Sequence, residues 1–124
     1  MVSERGWIED TIAAVATPIG EGGIGIVRIS GVAAIPIVDR AFRSPKGRTL
    51  ATVRNWSLSY GWIVDDGGER LDEVVVSVMR APHSYTKEDV VEINCHGGLV
   101  PLQSILQRML ELGARLAEPG EFTK

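Results

Sequence analysis

The sequence predicts an α+β domain: a mostly antiparallel sheet of five or six strands covered by two or three helices. Three observations predict it. Several short runs alternate apolar and polar residues with a period of two, and two longer stretches repeat apolar residues at helical spacing. Between two of the alternating runs, Asp65-Asp66-Gly67-Gly68 reads as a hairpin turn. The 124 residues, 1–124, make one domain, long enough for a single hydrophobic core.

Each element can be argued in order. Ile12 to Thr17 is a short apolar strand closed by Pro18, and a glycine-rich loop follows, leading into a second strand from Ile24 to Ser30. Ser30 is the expected N-cap of a helix running to about Phe42, in which Pro36 is tolerated only within the first turn. Arg43 to Asn55 reads as a polar connection. Trp56 to Val64 alternates, with Trp56, Leu58, Tyr60, Trp62 and Val64 on one face, and Glu73 to Met79 returns after the turn. Val90 to His96 is a half-buried strand: Val91, Ile93 and Cys95 face one way, Val90, Glu92, Asn94 and His96 the other. Gly97-Gly98 then opens a helix whose stripe runs through Leu99, Leu102, Leu106 and Met109, widened by Ile105 and Leu110, to a stop at Gly113, and Ala114 to Ala117 is a last strand-like piece.

Bulk properties exclude several classes. No apolar run approaches the ~18 residues of a membrane span, and the N-terminus lacks the basic start and apolar run of a secretory signal. A single cysteine rules out an internal disulfide framework and suits a reducing, cytoplasmic setting. A net charge of −3 without a basic cluster argues against this segment gripping nucleic acid alone.

Three constellations could carry chemistry. Gly20-Glu21-Gly22-Gly23-Ile24-Gly25 fits the dinucleotide fingerprint by letter, but a strand follows where that fingerprint needs a helix, and no Walker A sequence is present. Its readings are a tight turn or a ligand loop. Arg28 shares a face with Ile24, Ile26 and Ser30, so its guanidinium needs a carboxylate or an anionic ligand, and Glu92 is the protein candidate. The pair is either a structural ion pair or the lining of a pocket, where a carboxylate can accept paired N–H donors from a heterocyclic amidine. In Asn94-Cys95-His96-Gly97-Gly98, neighbouring Cys95 and His96 point to opposite faces, which disfavours a nucleophile or zinc site. Cys95 then reads as a core residue, and His96 as a pocket residue or a strand-end residue. Free backbone N–H groups at Gly97-Gly98 are expected to make this corner a ligand site.

Three blocks carry a resemblance. Asp10 to Gly31 (DTIAAVATPIGEGGIGIVRISG), Ser84 to Gly98 (SYTKEDVVEINCHGG) and Glu118 to Lys124 (EPGEFTK) resemble the N-terminal domain of the MnmE/TrmE family of tRNA modification GTPases. The likeness covers nearly the whole chain in order, with Val32 to Arg80 matching in pattern only. It implies a fold similar to the folate-binding part of aminomethyltransferases, a homodimer, and binding of a tetrahydrofolate derivative (5-formyl- or methylene-tetrahydrofolate) through Arg28 and Glu92. Gly22, Gly23, Asn94 and His96 are further pocket candidates. A third folate ligand of the family, a lysine, lies just beyond the last block, and Pro36 departs from the family's usual helix.

The resemblance further implies that the full-length protein hydrolyses GTP with Mg and K in a G domain absent from these residues. With FAD-containing MnmG, it would form 5-carboxymethylaminomethyluridine, or the aminomethyl form, at the tRNA wobble position. This segment is then a domain or fragment with no catalytic residue, no metal and no membrane contact of its own. The alternatives are a purely structural dimerisation scaffold and a free-standing aminomethyltransferase-like folate-binding protein.

Overall fold

The computed structural model describes residues 10–17, 25–81, 84 and 88–123. These form seven strands, β1 (Ile12–Thr17), β2 (Gly25–Ser30), β3 (Phe42–Arg43), β4 (Leu58–Val64), β5 (Arg70–Met79), β6 (Val90–Cys95) and β7 (Arg115–Leu116). Two α-helices, α1 (Ala34–Ala41) and α2 (Leu99–Glu111), complete the fold. The strands make one sheet in the order β3-β4-β5-β6-β2-β1-β7, which puts β6 in the middle. Every neighbouring pair is antiparallel except β1 and β7. The α+β class holds, with seven strands where the sequence predicts five or six. The additional pairings involve β3 and β7, each two residues long and too short to display a period.

Both helices pack on one face. Val27 and Ile29 of β2, Val74, Val76 and Val78 of β5, and Val91, Ile93 and Cys95 of β6 share a core with Ile37 and Val38 of α1 and with Leu102, Ile105 and Met109 of α2. Period two in the strands and the stripes in the helices meet there, which is why these elements form together. The opposite face carries Ile26, Arg28, Val75, Ser77, Glu92 and Asn94 and is covered by no α-helix among the described residues. No described helix is long and apolar enough to cross a membrane.

The structure corrects four local expectations. Ser30 ends β2 rather than capping α1; the chain turns at Gly31, whose φ of 139° puts it where a side chain is strained. An added Cβ at Gly31 would lie 2.6 Å from Thr11 Oγ1, the atom that accepts the Ala33 N–H at 3.0 Å and so opens the helix. Pro36 is the third residue of α1, within the first turn, where its missing N–H costs nothing.

Trp56 has a φ of 64° and stands outside β4, so strand pairing begins only at Leu58. The aromatic face of β4 is the one turned from the helices; Ser59, Gly61 and Ile63 are its core side, because Phe42 fills the space over Gly61. The connection from Arg43 starts within β3 and contains a short 3₁₀ turn, Leu50–Thr52, whose Leu50 is buried. Arg80 holds it, donating to the carbonyls of Leu50, Ala51 and Val53 and to Asn55 Oδ1. Finally, Leu99 begins α2 but stays exposed, leaving Leu102, Ile105 and Met109 as its buried stripe.

Candidate functional site

The two chemical residues chosen by strand alternation stand side by side. In the β2/β6 ladder Arg28 is directly opposite Glu92, the arrangement in which cross-strand side chains are closest. Arg28 Nε donates to Glu92 Oε2 at 2.7 Å, and Nη2 reaches the same oxygen at 2.6 Å. Glu92 Oε1 has no hydrogen-bond partner among the described residues. The side chains are 27% and 13% exposed, enough shielding for a charge-assisted pair to keep its geometry. The Phe122 ring lies with its centroid 5.6 Å from Arg28 Cζ, within cation–π range. The site is therefore a charged pair at the centre of the helix-free face, with an aromatic wall on one side.

The other sequence candidates fall differently. Asn94 is on the same face as Glu92, two residues along, and its amide Nδ2 donates to the Val75 carbonyl at 2.9 Å. His96 is exposed and lies one residue beyond the end of β6. Gly22 and Gly23, with the loop that holds them, lie outside the described residues. Cys95 is on the core side, 1% exposed, and burial pushes its thiol up to about 12. A cavity of about 250 Å³ beside the 44–48 turn, lined by Phe42, Lys46, Arg48, Leu58 and Tyr60, is separate from the charged pair.

The corner at Gly97-Gly98 is partly filled from within the chain. Asp72 Oδ2 accepts the backbone N–H of His96 at 2.8 Å and of Gly97 at 2.9 Å, so one of the two glycine donors expected to meet a ligand is taken within the chain. Asp72 escapes sequence reasoning because it reaches the corner from β5, a neighbour only in the folded register. Asp72→Ala is expected to cost about 1–2 kcal/mol, the worth of charge-assisted bonds to backbone donors that water can partly replace. Urea denaturation checks this, and an unchanged midpoint would show that water replaces the carboxylate fully.

A second missed group holds the C-terminal turn. Arg115 Nη1 donates to Glu121 Oε1 at 3.0 Å, and Nη2 contacts Glu121 Oε2 and, at 3.0 Å, Asp10 Oδ1. The dipeptide Pro119-Gly120 was the available signal. Pro before a glycine at φ 76°, with the Glu121 N–H donating to the Glu118 carbonyl at 3.0 Å, is a type II turn.

Residues 11–124 match the family model described as "GTP-binding protein TrmE N-terminus". The chain belongs to this TrmE N-terminal family. Within the family it is 62% identical over 118 residues to the tRNA modification GTPase MnmE of Moorella thermoacetica, covering 94% of this chain and 26% of that protein. To the MnmE of Symbiobacterium thermophilum it is 57% identical over 116 residues, with 94% and 25% covered. The MnmE of Bacillus subtilis gives 57% over 116 residues, with 93% and 25% covered. The chain thus spans about a quarter of the length of these curated relatives. The span matched by the TrmE N-terminal model takes in both members of the charged pair and the C-terminal turn.

Proposed function

We propose that this chain is the folate-binding and dimerising N-terminal domain of a tRNA modification GTPase, related in fold to the folate-binding part of aminomethyltransferases. One observation carries the reading: Arg28 and Glu92 are opposed on the helix-free face of the two central strands, beside an aromatic ring. The ligand is a tetrahydrofolate derivative, 5-formyl- or methylene-tetrahydrofolate. Its flat heterocycle offers N–H donors, and Glu92 can receive one through Oε1 while Arg28 holds Oε2 and fixes the carboxylate's orientation. Asn94 borders the heterocycle from the same face, and Gly22 and Gly23, which precede β2 in the sequence, are the further candidates. The chain supplies binding and orientation for a one-carbon donor and no bond-making residue.

The relatives are named tRNA modification GTPases, and on the family resemblance we extend the reading to the whole protein. A G domain outside these residues would hydrolyse GTP with Mg and K. With FAD-containing MnmG, the protein would form 5-carboxymethylaminomethyluridine, or its aminomethyl form, at the wobble position of cytoplasmic tRNA. Homodimerisation is supported by the helix-free face, where Leu58 is 71% and Tyr60 49% exposed.

A second reading, a structural scaffold, is favoured by the closed Arg28–Glu92 contacts themselves. Calorimetric titration with 5-formyltetrahydrofolate separates the two. It is run on this chain and on a version extended past Lys124, with mass in solution measured alongside. Saturable binding by a dimer, lost in Glu92→Ala with the fold retained, is the expected result. If the extended version ignores folate and Glu92→Ala unfolds or dissociates it, the scaffold reading stands instead.

A further inference from the structure

We propose that Arg115 is a positioning residue for the Arg28–Glu92 site: with Asp10 and Glu121 it latches the C-terminal turn so that Phe122 forms the wall against which a flat heterocycle packs. The inference rests on the ligand-site reading of that pair and adds to it the group that shapes the site.

The geometry is built stepwise. Arg115 lies in β7, paired with Ile12 of β1, which is itself opposite Ser30 of β2; this places Arg115 on the face that carries Arg28. Its side chain is 15% exposed, and the guanidinium meets both oxygens of Glu121, a bidentate fork that fixes orientation as well as distance. Asp10 closes the fork from the other end of the chain, 105 residues away in sequence. The type II turn through Pro119 and Gly120 reverses the backbone between Arg115 and Glu121, and Glu121 Oε1 also accepts the Glu118 N–H at 2.8 Å. Phe122, the next residue, comes down over Arg28.

This answers what an isolated 3₁₀ turn needs. Three residues, Glu121–Thr123, have too few backbone bonds to hold an aromatic ring at a fixed place on the sheet. The carboxylates on Arg115 supply that restraint. The ring then limits the motion of the Arg28 guanidinium, shields the charged pair on the β1 side, and leaves the Glu92 carboxylate directed toward the ligand. An aromatic wall beside a carboxylate acceptor suits a flat, hydrogen-bonding heterocycle, with offset stacking as the attraction.

The test is 5-formyltetrahydrofolate titration of the extended version, with variants of Phe122 and Glu121. Phe122→Ala is expected to weaken binding about tenfold, as for loss of one stacked aromatic contact. Phe122→Tyr should stay within about threefold, because the ring is kept; Phe122→Leu, which keeps bulk without the ring, should resemble Phe122→Ala. Glu121→Gln should weaken binding comparably, and combining it with Phe122→Ala should add almost nothing, since the carboxylate acts through the ring. Additive losses, or wild-type affinity in Phe122→Ala and Phe122→Leu while Glu92→Ala loses binding, would overturn the latch and leave the ligand site intact. Absence of binding in the unmodified extended version would overturn both.

Discussion

Gly61→Ala is expected to lower stability by about 3 kcal/mol, at the upper end of what one added methyl does in a packed core. Gly61 sits in β4 with its missing side chain aimed at the helix side. A Cβ there would lie 2.2 Å from the Arg43 carbonyl oxygen and 2.7 Å from two carbons of the Phe42 ring. Neither neighbour yields cheaply: one is backbone in β3, paired to β4, and the other is a ring only 4% exposed. Relief requires β3 to leave the sheet edge and Phe42 to leave the core, which forfeits roughly 2–3 kcal/mol of aromatic burial. In a domain of this size the loss appears as a fall in Tm of about 10 °C. The damage is local to the β3 edge, with β5 between β4 and the strand that carries Glu92. A melting temperature within a degree or two of the parent would mean that the Phe42 ring is not seated over Gly61.

What could be read from the sequence, and what could not, divides along contact range. Alternation in β2 and β6 was enough to put Arg28 and Glu92 on one face and Cys95 on the other, because side-chain direction in a strand is local. The α2 stripe followed in part: Leu102 and Met109 are buried as its spacing predicts, while Leu99 is exposed. Which face of β4 is buried could not be settled that way. Its aromatic side looks like a core face by composition, yet the helices cover the side with Ser59, Gly61 and Ile63, where Phe42 supplies the missing bulk. The Gly97-Gly98 corner shows the limit most clearly. Its free donors are a sound local expectation, but the carboxylate that takes the Gly97 N–H comes from Asp72, 25 residues away, and only the β5/β6 register brings it there. Arg115 is likewise an ordinary cation until the parallel pairing of β7 with β1 sets it between Asp10 and Glu121.

Alkaline solution is expected to remove up to about 4 kcal/mol of stability through one group, Cys95. Its thiol lies on the core side of β6, opposite Val74 and Gly25, and is 1% exposed. Burial there, with the Asp72 carboxylate nearby, raises it from 9.0 to about 12, against a smaller lowering by the Val27 backbone. In the unfolded chain the thiol ionises near its ordinary value, whereas the folded chain keeps the proton. Below pH 9 both states hold the proton and the full stability is present. Between about 9 and about 12 the unfolded state alone gives it up, so stability falls as pH rises across that window. Three units at about 1.4 kcal/mol each set the total.

Tyrosine and lysine titration also acts in that range, so the measurement is a difference. Urea denaturation of the parent and of Cys95→Ala is followed from pH 8 upward. At pH 8 the parent should be the more stable, since the Ala variant leaves a small cavity. The gap should close and then reverse as pH rises. A constant gap would mean that the thiol reaches water in the folded state. It would then also react readily with thiol reagents at pH 8, which a buried Cys95 should resist. The same burial explains why the adjacent Cys95 and His96 do not form a nucleophilic pair: one side chain is sealed in the core as a neutral thiol, and the other is exposed beyond the end of the strand.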